Sequence, residues 1–198
     1  MKESTRDAIL EAAAAEFSEH GLSGARMENI AKRSGFNKAL LYRHFKDKQG
    51  LFEEALRTQF SGRRAILQQL PETLPEILSA WFSQTTADPN FMRLIQREAL
   101  QFQGEELVES EARREYYQMQ IEMLRRFQEQ GIVTDELPAM PLFFALLSLV
   151  VFPSTFPQIT ELVSGHPVQS PEFQAEWSDF LQRLARQLRP HSASSDSP

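Results

Sequence analysis

The sequence predicts an all-α fold of about nine helices, and two observations lead to that prediction. Apolar residues recur three to four positions apart through most of the 198-residue chain, which is the spacing of a helix face, and no segment alternates as a strand does. Glycine and proline fall almost entirely between these periodic segments, where they end one helix and begin the next. A chain of this length forms one or two domains, each with its own core.

Residues 26–48, RMENIAKRSGFNKALLYRHFKDK, have the pattern of a helix-turn-helix. The apolar side chains that share one face of the first helix are Met27, Ile30 and Ala31. Gly35 ends this helix, because glycine adopts the left-handed backbone that a tight turn between helices requires. Asn37 suits the N-cap of a second helix over residues 38–44, since its side chain accepts a hydrogen bond from a free amide in the first turn.

The second helix presents a polar face. Leu41 and Phe45 take the side that packs in the core. The side chains left to face outward are those of Asn37, Lys38, Tyr42, Arg43 and His44. A short helix rich in hydrogen-bond donors, braced by another helix across a tight turn, suits insertion into a major groove of double-stranded DNA.

The charge distribution supports a DNA contact at this end of the chain. All five lysines lie within the first 48 residues, and residues 1–50 carry nine Lys/Arg against seven Asp/Glu. The whole chain has a net charge of −6, so this basic segment of +2 precedes an acidic body of −8. Local positive charge, rather than the net charge, attracts DNA phosphates.

A wider set of residues around the helix-turn-helix gives a specific pattern. Its members are Ile9, Ala13, Phe17, His20, Gly21, Met27, Ile30, Ala31, Gly35, Phe36, the string LYRHF over 41–45, Lys48, Leu51 and Phe52. On these residues, 5–60 resembles the DNA-binding domain of the tetracycline-repressor (TetR) family of bacterial transcription regulators. The resemblance covers about the first third of the chain, and the remainder matches the family only in length and helical character.

The resemblance implies a role for each matching residue. Asn37 and Lys38 correspond to positions that approach base edges, whereas Tyr42, His44 and Lys48 correspond to positions that hold the phosphate backbone. Phosphate contacts set the register of a protein on DNA, and base contacts carry the sequence information.

Three positions depart from the family pattern. Arg26 stands where a threonine often opens the second helix of the domain, and Ala39 and Leu40 stand where Gly-Thr or Pro-Thr often occurs. The lost hydroxyls remove phosphate contacts, one of which Arg26 can replace. Leu40 either touches a thymine methyl or packs in the core, and both alternatives stay open. The full predicted DNA-binding set is Arg26, Asn37, Lys38, Leu40, Tyr42, Arg43, His44 and Lys48.

The body continues as six predicted helices. They cover residues 48–70, 75–87, 89–104, 105–130, 138–164 (bent or interrupted at Pro153 and Pro157) and 171–189. Asp88 and Ser170 each precede a proline and suit N-caps. The acidic run Glu105, Glu106, Glu109 and Glu111 would open the helix over 105–130, where it favours the helix dipole.

The predicted domains follow from this order. Residues 1–48 form a three-helix, helix-turn-helix DNA-binding domain, residues 49–189 a helical effector-binding and dimerisation domain, and residues 190–198 a serine-rich disordered tail. The helix from residue 48 links the two domains, so its tilt is the predicted lever between them.

The last two helices predict a homodimer. Their apolar residues are Phe143, Leu147, Val151, Trp177, Phe180, Leu181, Leu184 and Leu188, at helical spacing. The alternative is that both helices simply pack inside one subunit. The resemblance favours the dimer, because the family usually dimerises through its last two helices in a four-helix bundle.

Aromatic and methionine side chains in the body suggest a pocket for an apolar or aromatic small-molecule effector. The candidates are Trp81, Phe82, Met92, Phe102, Tyr116, Met119, Met123 and Phe127. The alternative is an ordinary helical core, and the pocket itself is mainly what the resemblance implies. Arg93 and Arg97 could receive an anionic head, although an exposed arginine face explains them equally simply.

Composition and spacing argue against catalysis, metals and membranes. The chain has no cysteine, and its four histidines are scattered, so we expect no enzyme activity, no metal site and no cofactor. The apolar stretch over 140–156 is shorter than the ~20 residues of a spanning helix, and the N-terminus lacks an export signal. We therefore expect a cytoplasmic protein.

Together these features predict a dimeric transcription regulator that represses from a palindromic operator and is released by an effector. The competing class is a helical DNA-binding or protein-interaction module without a small-molecule effector.

Overall fold

A computed structural model of the protein describes residues 4–67, 71–101, 104 and 107–190. These residues form ten helices and no strand, which confirms the predicted all-α class. The helices are α1 (Thr5–Gly24), α2 (Met27–Ser34), α3 (Lys38–His44), α4 (Lys48–Leu67), α5 (Leu74–Ala87), α6 (Pro89–Gln101), α7 (Ser110–Glu129), α8 (Ala139–Thr155), α9 (Pro157–Ser164) and α10 (Pro171–Gln187).

Two boundaries differ from the prediction. The predicted helix over 138–164 is two helices, α8 and α9, which meet at 88° around Phe156. The predicted helix over 105–130 begins only at Ser110, because Glu109 has a left-handed backbone with φ 57° that interrupts a helix. Of the acidic run, Glu111 alone lies in the first helical turn, while residues 105 and 106 fall outside the described residues.

The chain divides into two compact units. The first contains α1 to α4 together with α6, and the second contains α5 and α7 to α10. The predicted domain boundary at residue 48 stays a prediction: residue 48 begins α4, which packs along α1 within the first unit. Residues 191–198 of the tail predicted over 190–198, and the last residues of the predicted fourth helix, 68–70, are outside the described residues.

The first unit is built around α1. Ser4 and Asp7 form a capping box at its start, in which the Ser4 hydroxyl accepts from the Asp7 amide at 3.2 Å. Helices α2, α4 and α6 all pack against α1. Phe17 of α1 meets Phe52 of α4 edge to face, with ring centroids 5.1 Å apart. This packing fixes α1 as the support for the helix-turn-helix.

Helix α6 begins at the predicted cap. The Asp88 carboxylate accepts a hydrogen bond from the Phe91 amide at 3.1 Å, as an N-cap does. The same carboxylate pairs with Arg63 of α4 at 3.2 Å, and the Arg63 guanidinium lies 3.6 Å from the centre of the Phe91 ring. The ion pair and the cation–π contact therefore join α4 to α6, while the N-cap fixes the start of α6.

The second unit has a core of apolar side chains from α5, α7, α8 and α10 and from the segments before α8 and α10. Its fully or nearly buried members are Leu74, Leu78, Phe82, Ile121, Leu124, Val133, Ala139, Leu142, Phe143, Leu146, Val150, Val168, Phe173, Leu181 and Ala185. Helix α10 lies along α5. Ser170 caps α10, with its hydroxyl accepting from the Phe173 amide at 3.2 Å.

Pro153 near the end of α8 and Pro157 at the start of α9 leave two backbone carbonyls without their helical donors, since proline has no N–H. Pro153 deprives the Leu149 carbonyl, and the indole N–H of Trp177 donates to it from α10 at 3.1 Å. Pro157 deprives the Pro153 carbonyl, and the Thr160 hydroxyl donates to it at 3.1 Å. Each interruption of the helix is thus satisfied by one particular side chain.

No single helix among the described residues is both long and apolar enough to cross a membrane; the α8–α9 pair meets the length and composition criteria only when its two bent parts are taken together.

We predict that the Trp177 hydrogen bond is worth about 1 kcal/mol only while residue 153 is a proline. Trp177→Phe removes the donor to the Leu149 carbonyl, whereas Pro153→Ala supplies a backbone N–H in its place. Urea unfolding of the two single variants and the double variant gives the coupling free energy. Equal costs of Trp177→Phe in both backgrounds would contradict the assignment.

Candidate DNA-binding interface

The α2–α3 turn has the geometry that the sequence predicts. Gly35 is left-handed with φ 75°, and the Phe36 amide donates back to the Ala31 carbonyl at 3.1 Å, which closes α2. Asn37 caps α3, its side-chain oxygen accepting from the Leu40 amide at 2.9 Å. Because both ends are hydrogen-bonded, the angle between the helices is fixed locally.

Helix α3 presents the predicted polar face to solvent. Leu41 and Phe45 are buried, and Tyr42 keeps 46% of its surface exposed. The other exposed members of the predicted set are Arg26, Asn37, Lys38, Arg43 and His44. Leu40 is half-buried, so it is neither a core residue nor a fully free one.

The buried carboxylate of Glu16 holds α2 in place. Glu16 is 0% exposed, and its Oε1 accepts from the Arg26 amide at 3.1 Å and from the Asn29 side chain at 2.8 Å. Its Oε2 lies 3.4 Å from the Arg33 guanidinium. One carboxylate on α1 therefore contacts the beginning, middle and end of α2.

Sequence reasoning missed this residue. Glu16 directly precedes Phe17 and shares the apolar face of α1 that carries Ile9 and Ala13. An acidic residue in that register is a signal of a buried, paired charge, because an unpaired carboxylate is costly to bury. Helical periodicity alone could have identified it.

Arg33 joins Glu16 to a second carboxylate. Its guanidinium donates to Glu19 at 2.9 Å, and this hydrogen bond lowers the pKa of Glu19 and raises that of Arg33. His20 lies 3.6 Å from Glu19, so Glu16, Glu19 and His20 come together on one face of α1. The guanidinium contacts both carboxylates, and we assign this cluster a structural role.

Lys38 is held by an ion pair with Glu28 of α2. The hydrogen bond between them lowers the pKa of Glu28 and raises that of Lys38. The Lys38 ammonium also lies 5.9 Å from the centre of the Tyr42 ring. The Lys38 ammonium, which is predicted to contact a base edge, therefore has a defined position in the free protein.

Lys48 is the half-buried cation of the set. Its ammonium donates to the backbone carbonyls of Ser23 at 3.3 Å, in the last turn of α1, and of Ala25 at 3.2 Å, at its C-cap. Three N–H groups are available on an ammonium, so one remains for a further acceptor. Lys48 consequently ties the start of α4 to the end of α1.

The predicted effector residues belong to both units, and their role as a pocket stays a prediction. Met92 lies in α6 of the first unit, whereas Trp81 and Phe82 belong to α5 of the second. On α7, Tyr116, Met123 and Phe127 are half-buried and Met119 is 42% exposed, and Phe102 lies outside the described residues.

The predicted dimer residues have mixed surroundings. Phe143 and Leu181 are buried in the core of the second unit, and Phe180 is 41% exposed. The partly buried remainder comprises Leu147, Val151, Trp177, Leu184 and Leu188. The most exposed apolar side chains nearby were not in the predicted set: Phe144 on α8 and Leu162 and Val163 on α9.

Comparison with known proteins adds three kinds of similarity. The family model for "Bacterial regulatory proteins, tetR family" matches residues 9–55, and the model for the "Tetracyclin repressor-like, C-terminal domain" matches residues 73–186. The HTH-type transcriptional repressor SCO4008 of Streptomyces coelicolor is 30% identical over 163 residues, which cover 82% of this chain and 85% of that protein.

Two solved structures share the fold. The transcriptional regulator SCO4942 of Streptomyces coelicolor has a TM-score of 0.75 at 23% sequence identity. The match covers 91% of this chain and 98% of the SCO4942 chain. The regulator FadR of Bacillus subtilis, solved with stearoyl-CoA, has a TM-score of 0.64 at 18% sequence identity. The match covers 90% of this chain and 96% of the FadR chain.

We predict that Glu16→Gln lowers the free energy of unfolding by about 1–3 kcal/mol, because it leaves Arg33 facing a neutral amide in a buried site. The matched control is Glu19→Gln, which removes the exposed partner of the same arginine and should cost at most about 1 kcal/mol. Both are measured by urea unfolding. A larger loss for Glu19→Gln than for Glu16→Gln would contradict the role of Glu16.

Proposed function

We propose how this chain acts from one premise: it belongs to the TetR family of bacterial regulatory proteins and is a DNA-binding transcriptional regulator. We infer further that it represses, as its relative SCO4008 does, and that it acts in the cytoplasm, where bacterial DNA lies. It needs no catalytic step for this role. The observation that carries the proposal is the exposed polar face of α3, braced by a hydrogen-bonded turn.

The DNA contacts divide into two classes. Lys38 and the free amide of Asn37 reach base edges in the major groove, since both lie exposed at the start of α3. Tyr42 and His44, with Lys48 at the start of α4, hold phosphates and set the register. Arg26 and Arg43, both exposed, add to the positive field, while half-buried Leu40 lies against a thymine methyl.

Ion pairs prepare the interface without blocking it. In the free protein Glu28 neutralises Lys38, so a base acceptor competes with that carboxylate for the ammonium on binding. This exchange favours sites whose base offers an acceptor at the right place and penalises those that do not. Lys38 therefore contributes mainly to discrimination between sequences.

Two subunits bind one operator in this proposal. On α8, Met140 and Phe144 are 48% and 59% exposed and lie one helical turn apart, which leaves an apolar stripe for a partner to cover. A two-fold dimer then reads a palindrome, with its half-sites separated by one helical turn of DNA or more.

An effector releases the operator by differential binding. It prefers a conformation in which the recognition helices no longer fit adjacent grooves, and the coupling free energy can be no larger than its preference for that state. The stearoyl-CoA complex of FadR supports a small-molecule effector for this chain as well. Of the predicted pocket residues, the half-buried Tyr116, Met123 and Phe127 share α7 and are the best placed to meet one.

Selection from a random duplex pool tests the function. Protein refolded to remove bound small molecules is incubated at ~0.15 M salt, where surface charge is well screened, beside a Tyr42→Ala/Lys48→Ala variant. We expect a palindrome to be enriched by the native protein only. Enrichment of no sequence would contradict the proposal, and a palindrome bound with the same affinity in the presence of every compound tried would favour a module without an effector.

We predict that Lys38→Ala changes the selected sequence at one base pair per half-site, with a loss of about 1–3 kcal/mol for the preferred base. Glu28→Gln, which frees Lys38 without removing it, is the matched control and should retain the native preference with tighter binding. Affinities for single-substituted operators measure both effects. An equal loss on all operators would assign Lys38 to phosphate binding instead.

We predict that Phe144→Asp yields a monomer, because it places a charge in the apolar stripe of α8. Leu100→Asp on α6, where leucine is 82% exposed, is the control for adding a surface charge. Sedimentation at several concentrations reports the oligomeric state, and operator affinity should fall with it. A Phe144→Asp protein that stays dimeric would place the interface elsewhere.

A further inference from the structure

The turn that precedes α7 has a glutamate in a position that suits glycine. The Ser110 amide donates to the Leu107 carbonyl at 3.1 Å, which closes a four-residue turn over 107–110. Glu109, third in this turn, has φ 57° and is the only non-glycine residue with a positive φ in the part of the chain that the structure describes. Turns with a positive φ at the third position favour glycine or asparagine there, because a Cβ opposes this backbone conformation.

The sequence of the same segment favours a helix. Leucine and glutamate are good helix formers, and Glu109 would lie in the first turn of a helix that began near Leu107, where negative charge is favourable. That helix would be α7 lengthened by about one turn. It would give the amides of Glu111 and Ala112 carbonyl acceptors at residues 107 and 108. Local preference and the observed backbone therefore disagree at this turn.

An ion pair holds Glu109 in the turn. The Nε–H of Arg57 on α4 donates to the Glu109 carboxylate at 2.8 Å, and this hydrogen bond raises the pKa of Arg57. The same guanidinium pairs with Glu54, which also pairs with Arg6 of α1. All four residues belong to the first unit. Ion pairs therefore connect the turn with both α4 and α1.

The balance between the turn and a longer helix is close. The side chains of Arg57 and Glu109 are 46% and 30% exposed, so solvent screens their ion pair and its contribution is small. The left-handed backbone of a glutamate has a cost of the same order. Two contributions of similar size and opposite sign leave a small difference in free energy, which a modest bias can reverse.

We propose that the turn over 107–110 is a two-state latch that links α7 to α4. In the closed state, Arg57 holds Glu109 in the left-handed conformation and α7 begins at Ser110. In the open state, that ion pair is broken, Glu109 is right-handed and α7 is longer by one turn. The two states follow from the turn itself, whereas their use in regulation rests on the function proposed above.

The closed state is the one that suits DNA binding. Lys48, proposed above to hold a phosphate, is the first residue of α4. In the closed state Arg57 fixes α4 to the turn and Glu54 fixes it to α1. An effector that contacts α7 and favours the longer helix removes the first of these restraints. The resulting loss of operator affinity can be no larger than the effector's preference for the open state.

Replacing Glu109 by glycine and by alanine tests whether the latch has two states. Both variants lose the carboxylate, but glycine adopts the left-handed backbone freely, whereas alanine favours a helix. We expect Glu109→Ala to open the latch, so its Glu111 and Ala112 amides should exchange with deuterium about tenfold more slowly than those of Glu109→Gly, as measured by NMR. Equal exchange rates, with Glu109→Ala merely less stable in urea, would overturn the proposal.

Arg57→Gln tests the ion pair from its other side. It leaves the strained backbone of Glu109 without the guanidinium, so exchange at the two amides should slow by about threefold or more relative to the native protein. Arg6→Gln is the matched control, because it removes the second partner of Glu54 and leaves Arg57 with Glu109. Unchanged exchange in Arg57→Gln, or an equal change in Arg6→Gln, would contradict the role of Arg57 in closing the latch.

Operator affinity separates the latch from the proposed function. With the palindrome that the native protein selects, Glu109→Ala should bind about threefold or more weakly than Glu109→Gly. Equal affinities, in variants whose amide exchange shows open and closed latches, would overturn the regulatory role. If the native protein selects no operator, the proposed function fails, whereas the exchange rates still decide whether the turn has two states.

Discussion

The contact between the Glu16 carboxylate and α2 is the constraint on which the DNA-binding face depends. Helix α3 is only seven residues long, too short to be stable alone, so its position comes from α2 and the turn between them. Helix α2 in turn is held on α1 by apolar contacts, which are not directional, and by the hydrogen bonds and ion pair of Glu16, which are directional. A single buried charge thereby orients side chains that it never touches.

Two lysine side chains of the interface are also held in position before DNA binds. Lys38 is held by Glu28 and Lys48 by two backbone carbonyls, so neither long side chain is free to sample many rotamers. Ordering such a side chain on binding has an entropic cost, which the free protein has already met in part. The interface is therefore selective rather than merely basic.

The sequence predicted the helix-turn-helix segment better than the helices that follow it, and the reason is physical. The signals at Gly35 and Asn37 are local, since a left-handed residue and an N-cap act within a few positions, and the structure has both. Phe143 and Phe144 differ only in which side of α8 they occupy, and the 3.6-residue period of a helix that is apolar nearly all round cannot distinguish them. The start of α7 was misplaced because Glu109 adopts a backbone conformation that glutamate rarely takes. A half-open groove among α8, α9 and α10 depends on the sharp bend between α8 and α9, which sequence periodicity does not show, and the sequence analysis assigned Trp177 and Phe180 in its wall to the dimer interface.

The pairing of Pro153 with Trp177 also bears on how this fold can change over generations. A proline at 153 costs less with an N–H donor at 177, and a donor at 177 has that value only with a proline at 153. The two positions, 24 residues apart, should therefore vary together among descendants of this chain. A lineage that regains an ordinary helical residue at 153 frees position 177 to become any apolar side chain, and with it the composition of the neighbouring groove wall.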